Sequence, residues 1–236
     1  MDRCFYKKTP HAKLEASMLK ELGHYISCVK VLEYDEHSLS LQKLPYHGVY
    51  DEVEFAEALA LMHQNRFEFY GYGRDTTIGS FVQPNPKESD WGEFFAKHRI
   101  GYMAKKCLQE GRIEEKMFDR VLRFSEDVSN NLTSSHPSIL HGDLWGGNVM
   151  NDGRKTILID PAIYYGSYEY DIAFSTLFGT FSKRFYDAYS SYNPLDSEFW
   201  KSRVDMLNSY ALLVHIRAFG GGYVNQLDSV LRKFGR

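Results

Sequence analysis

Asp143, Asn148 and Asp160 have side chains and spacings that could act on one reacting group. Asp143 lies in His141-Gly142-Asp143-Leu144-Trp145-Gly146-Gly147-Asn148, where the glycines let the backbone turn tightly. Two short apolar stretches, Val149-Met150 and Thr156–Ile159, then flank Asn151-Asp152-Gly153. Asp-Gly is a strong hairpin-turn signal, and a hairpin returns its exit to its entry. Asp160, at the exit, therefore comes back beside Asp143 and Asn148. Oxygen donors from Asn148 and Asp160 suit a hard cation such as Mg²⁺, which takes few protein ligands and keeps phosphates and waters. Asp143 is then free to accept a proton from a hydroxyl nucleophile. This is the general plan of phosphoryl transfer, with a catalytic-loop Asp and Asn followed by a metal-binding Asp. A zinc reading of His141-x-Asp143 lacks a third nitrogen or sulfur ligand at a telling spacing.

Phosphoryl transfer also needs a cation for the phosphates. Phe5 and Lys7 share one face of an N-terminal strand by the period of two, and Glu15 on the next helix could hold the lysine. Lys8, on the opposite face, is the rival. Glu169 and Asp171 read as capping residues for the helical run Ile172–Phe178, with a structural hydrogen-bonding role for Asp171. Neither Gly71-x-Gly73 nor Gly220–Gly222 both follows a clear strand and opens a helix, as a phosphate loop requires, so they read as loops or helix ends. His63 and His98 fall within helical stretches and read as ordinary residues.

The elements that must position these groups are legible in outline. Residues 3–8 form a strand-like run closed by Thr9-Pro10. Leu14, Met18, Leu19 and Leu22 follow at helical spacing and stop at Gly23. Cys28–Tyr34 and Ser38–Leu44, separated by Asp35-Glu36-His37, read as a hairpin. Asp51 with Glu54 resembles a capping box ahead of Phe55, Ala56, Leu59, Ala60 and Met62. Residues 70–90, rich in Gly, Thr, Pro and Asn, predict a long surface loop. Asp90 opens another helix, and Met117, Val121, Phe124, Val128 and Leu132 mark a further amphipathic one. Beyond Asp171 the chain is aromatic-rich and helical, broken at Pro194 and Gly220–Gly222. The expected layout is a small N-terminal unit over residues 1–47 and a helical body over 48–236.

Composition narrows the class. The 236 residues carry 28 Lys+Arg against 31 Asp+Glu, a net charge of −3, with 43% hydrophobic and 25% charged residues. These are values of an ordinary globular chain, which excludes disorder, collagen-like repeats and a disulfide scaffold. The near-neutral balance argues against a dedicated nucleic-acid binder, which shows a basic excess. No apolar run approaches the ~20 residues of a membrane span, and Met1-Asp2-Arg3-Cys4 shows no signal-peptide pattern. Cys4, Cys28 and Cys107 have no paired spacing and read as reduced thiols, so a cytoplasmic location is expected. Asn131-Leu132-Thr133 matches a glycosylation acceptor, a coincidence in such a chain. Nothing in the sequence sets an oligomeric state.

The residues also resemble a known family. His141-Gly-Asp-Leu-Trp-Gly-Gly-Asn148, then Ile159-Asp-Pro-Ala-Ile-Tyr-Tyr-Gly166 and Glu169-Tyr-Asp171, is similar to the fructosamine (ketosamine) kinases. These belong to the aminoglycoside- and choline-kinase-like small-molecule kinases. Leu177-Phe-Gly-Thr-Phe181, Phe185-Tyr-x-x-Tyr189, Leu212-Leu-x-His215 and Phe219-Gly-Gly-Gly-Tyr223 extend the likeness, as do Ile78-Gly-Ser80, Gln83-x-Asn85 and Asp90-Trp-x-x-Phe-Phe95. The resemblance implies an α+β, protein-kinase-like two-lobed fold, its front lobe reduced to strand, helix and hairpin, its second lobe large and mainly helical. It implies Asp143 as catalytic base, Asn148 and Asp160 as Mg²⁺ ligands, Lys7 on the ATP phosphates with Glu15 as partner, and Trp145 and His215 in the sugar pocket. The implied reaction uses ATP to phosphorylate the third-carbon hydroxyl of a small-molecule or protein-bound ketosamine, whose product sheds the free amine. Such kinases carry a glycine-rich strand pair before the lysine strand. Only six residues precede Lys7, so a trimmed front lobe is expected. Thr180, Val214 and Thr76 stand where the family usually has Gly, Asn and Asn. The rival expectations are a non-catalytic kinase-like binding module, and a kinase for another small sugar or amino alcohol.

Overall fold

The structure, a computed structural model, describes residues 4–134 and 136–236. The front lobe runs β1 (Cys4–Lys8), α1 (Ala12–Leu22), β2 (Val31–Tyr34) and β3 (Ser38–Gln42). β1 and β2 both pair antiparallel with β3, which gives the order β1-β3-β2, with Lys7 opposite Leu39. Ala12, Ala16 and Leu19 of α1 pack with Val29, Leu39 and Leu41 in a small apolar cluster that also takes Ile157. Glu15 is buried on that same helix face. The strand, helix and hairpin stand where the apolar spacing predicts them.

The second lobe is mainly helical. β4 (Tyr46–His47) leads to α2 (Glu52–His63), whose first turn is capped by the Asp51 carboxylate accepting from the Val53 and Glu54 amides. Then come β5 (Thr76–Ile78), β6 (Phe81–Gln83), α3 (Trp91–Phe95), a π-helical stretch Ala96–Gly101, α4 (Tyr102–Gln109) and α5 (Glu115–Asn131). β7 (Ser138–Leu140), β8 (Val149–Asn151), β9 (Thr156–Leu158) and β10 (Tyr164–Gly166) precede α6 (Glu169–Leu177) and α7 (Lys183–Ser190). A second π-helical stretch, Phe199–Arg203, runs into α8 (Val204–Phe219), followed by α9 (Gly222–Lys233). The large core collects Trp91, Phe94, Phe95, Phe124, Tyr164, Tyr170, Phe174 and Tyr210. That is where much of the high aromatic content resides. No helix among the described residues is long and apolar enough to cross a membrane.

One expectation is corrected. Residues 70–90 are not a surface loop: β5 and β6 form an antiparallel hairpin whose Thr76, Thr77, Ile78 and Gln83 are buried. Polar side chains there mislead because they satisfy one another. Thr76 Oγ1 accepts from Gln83 Nε2 (3.0 Å) and Asn85 Nδ2 (2.7 Å) and donates to the Ile163 carbonyl (3.2 Å). Tyr210 donates to Gln83 Oε1, and Arg99 donates to Asn85 Oδ1. Polar groups paired with one another in this way are buried at far lower cost than unpaired ones. β10 also goes unforeseen. It pairs with β7 and closes the segment that carries Asp160.

Candidate active site

The predicted hairpin is present. β8 and β9 pair with Asn151 opposite Thr156, and the Ile159 amide donates to the Asn148 carbonyl at 3.1 Å, closing its open end. Asp160 follows with φ of 50°, the sole non-glycine at positive φ among the described residues. Asp tolerates that region better than most residues, and such strain concentrates at functional positions.

The loop before β8 is held from behind. Asp171, fully buried, accepts from the His141 amide (2.7 Å) and the Gly142 amide (2.8 Å) and meets His63 Nε2 at 3.2 Å. His63 in turn contacts the Tyr189 hydroxyl at 2.6 Å. The structural hydrogen-bonding role expected of Asp171 is thus in place, while Glu169 pairs with Arg203. His141 donates from Nε2 to the Ile159 carbonyl (2.9 Å), and its Nδ1 accepts from the Asp143 amide (3.2 Å). Burial holds its pKa below the usual histidine value, so the ring stays neutral in these two roles. Gly142 sits at φ of 80°, and a Cβ there would lie 2.1 Å from the Ala162 carbonyl oxygen.

A cleft of about 410 Å³ opens in front of this loop. Asp143, Trp145, Asn148, Asp160, Lys7 and Glu15 line it, with Thr77, Gly79 and Ser80 of the β5–β6 hairpin opposite. In sequence, Ile78-Gly-Ser80 carries only the family likeness, with no chemical role assigned; the fold brings these residues to the cleft. A larger groove of about 840 Å³ between Leu19 and Leu32 has no carboxylate in its lining, so the chemistry converges in the smaller one. His215 lies outside the cleft lining and connects to it through Phe178, 5.1 Å from His215 and 5.6 Å from Trp145.

Lys7 Nζ bridges Glu15 Oε1 (2.9 Å) and Asp160 Oδ1 (2.8 Å). Burial pulls the ammonium pKa down, but the two carboxylates outweigh it and leave it raised. Burial holds the Glu15 carboxyl above its usual value despite Lys7, because one ammonium serves two acids. Lys8, the alternative cation, also lines the cleft but carries neither contact. Asn148 Nδ2 donates to the Asp143 carbonyl (2.8 Å) and to Asp143 Oδ2 (2.9 Å), so the amide's hydrogens are spent on Asp143. Asp143 keeps contact with the cleft, yet protein packs closely around it. Desolvation pushes its carboxyl up to about 7, helped by the charges of Asp160 and Asp171 and opposed by Asn148.

Against known proteins, residues 13–235 match the fructosamine kinase family. A protein of Enterococcus faecium, named as a probable ketoamine kinase, is 35% identical over 98% of this chain and 87% of its own length. A crystal structure described as a "putative fructosamine-3-kinase" from Haemophilus somnus 129PT superposes with a TM-score of 0.88 at 28% identity, covering 99% of this chain and 83% of that one. The aminoglycoside phosphotransferase APH(4)-Ia, at 13% identity and a TM-score of 0.58 over 98% of this chain and 86% of its own, shares the fold alone. With a match that takes in nearly the whole chain and an architecture repeated in a solved relative, the protein belongs to the fructosamine kinase family and is a phosphotransferase of kinase-like fold.

Proposed function

We propose that this kinase transfers the γ-phosphoryl group of ATP to the 3-hydroxyl of a ketosamine, with Asp143 as general base. The observation that supports it best is the convergence of Asp143, Asn148, Asp160 and Lys7 on one cleft, in a chain whose relatives include a named ketoamine kinase. Asp143 takes the hydroxyl proton on its carboxylate, the freed oxygen attacks the γ-phosphorus in line, and ADP leaves with the bridging electron pair. Asn148 orients Asp143 through its amide hydrogen bond. Lys7, held by Glu15, meets the ATP phosphates.

The donor set fits Mg²⁺. Glu15 and Asp160 share the single Lys7 ammonium, and the Asp143 carboxylate and the Asn148 amide line the same cleft, an oxygen-rich set suited to a hard cation. Asn148 and Asp160 would hold the ion, which draws charge from the phosphate oxygens when bound. Loss of the sugar phosphate from the product would return a free amine, making the role deglycation.

Phosphorus NMR of the protein with Mg·ATP and ribulose-lysine tests this. A sugar-phosphate resonance is expected from the unaltered chain. Asp143→Asn should lose roughly 10²- to 10⁴-fold in turnover, the range for a general base, with its melting curve preserved. Intact ATP in the unaltered protein, or normal turnover in the variant, counts against the reading.

A further inference from the structure

Trp145 belongs to two surfaces. It walls the cleft, and it also begins a run of aromatic rings leading away from it. Its ring lies across Gly147, where an added Cβ would come within 2.3 Å of it. Phe178 follows at 5.6 Å, His215 lies 5.1 Å beyond, and Tyr223 and Phe219 stand 4.9 and 5.8 Å from His215. Four separate segments build this ledge, beginning with the loop that carries Trp145. Phe178 ends α6, and the turn after it is tied to the catalytic loop by the Gly146 amide donating to Thr180 Oγ1 at 2.9 Å. His215 and Phe219 lie on the last turns of α8. Gly220 and Gly221, at φ of 65° and 62°, reverse the chain so that Tyr223 of α9 comes back over His215.

The rings are held but not covered. Trp145 is 37% exposed, Phe178 39% and Phe219 71%. Single exposed aromatics are ordinary, but a contiguous patch of them marks a binding surface. Its continuity with the cleft identifies the occupant as the part of the acceptor that does not react. In a ketosamine that part is the amine and its substituent, one bond from the sugar. Aromatic faces attract both an apolar group and the ammonium bearing it. His215 donates from Nδ1 to the Ala211 carbonyl, and burial keeps its pKa low, so it adds no repelling charge.

We propose that the Trp145–Phe178–His215–Phe219–Tyr223 ledge is the second half of the acceptor site, seating an apolar or aromatic substituent on the amine of a ketosamine. This rests on the ketosamine reading above. The test compares kcat/KM for the N-benzyl and N-methyl derivatives of 1-amino-1-deoxyfructose in the unaltered chain and in Phe178→Ala and Phe219→Ala. The unaltered chain should favour the benzyl compound by tenfold or more, mainly through KM, and each substitution should bring that ratio towards one. If neither compound is phosphorylated, the acceptor reading falls and the ledge with it. If both are phosphorylated with a ratio near one, or the ratio survives both substitutions, the ledge alone is wrong. Light scattering of the same proteins covers the remaining occupant. A dimer that Phe219→Ala dissociates without altering the ratio would assign the rings to a second copy and overturn the proposal.

Discussion

Lys7 has one ammonium for two carboxylates, and that shortage shapes the residue scale of this site. Glu15 is the more buried partner, so its bond sets where the lysine sits, while the more exposed Asp160 lines the cleft. Lys7→Ala should raise KM for ATP by roughly 10- to 100-fold, as expected for a charge-assisted contact, and Lys8→Ala should do so far less. Initial rates against ATP concentration decide it; equal effects would return the role to Lys8 or to neither. Asp143 gives a second residue-scale expectation. A base must be ionised, and its carboxyl is pushed up to about 7. Then kcat/KM, which reports the free enzyme, should fall as pH drops through about 7. A profile flat down to pH 5.5 would argue against Asp143 as the base.

At the scale of elements, the catalytic loop is positioned by two devices. Asp171 at the start of α6 clamps the His141 and Gly142 amides, and Gly142 lets the loop press against Ala162. Gly142→Ala forces a side chain into positive φ and into the Ala162 carbonyl. We expect a loss of about 2 kcal/mol or more from the backbone strain alone, with lowered turnover; urea midpoints and rates measure both. An unchanged midpoint would show that the loop relaxes freely. The hairpin and its Asp160 exit are legible in sequence because Asn151-Asp152-Gly153 is a local turn signal between apolar stretches. The β5–β6 hairpin is not legible, since its buried Thr76 and Gln83, with Asn85 beside them, pair with one another and complete their bonding through the distant Ile163, Arg99 and Tyr210. Local hydropathy reads such residues as solvated.

At the scale of the molecule, the two apolar clusters touch through α1 and the β8–β9 hairpin. Met18 and Leu22 enter the large core, while Ile157 enters the small one. The three thiols report on this packing. Cys4 is exposed, whereas burial pushes Cys28 and Cys107 up to about 12. At pH 8 a thiol reagent should label Cys4 quickly, the half-buried Cys28 slowly from the groove it lines, and Cys107 only on unfolding; mass spectrometry against time distinguishes them. Unfolded thiols ionise near the ordinary value of 9. Between there and about 12 the folded state holds protons that the unfolded state has lost, so these groups make stability fall as pH rises. Fast labelling of Cys107 would contradict the packing of α4 against α8.

The sequence by itself determined what depends on near neighbours. The Asp143–Asn148–Asp160 spacing, the Asp-Gly turn, the Asp51 cap and the alternation that puts Lys7 across from a helix bearing Glu15 are all local features. Each is set within about fifteen residues by turn chemistry, capping or periodicity. Only the tertiary structure decided that Lys7 is shared with Asp160, 153 residues away, and that Thr77 and Ser80 line the same cleft as Asp143. It also decided that the rings from Trp145 to Tyr223 make one surface. These relations join segments whose separation in the chain carries no periodic signal. They come from packing two lobes and returning α9 onto α8, which no local propensity encodes.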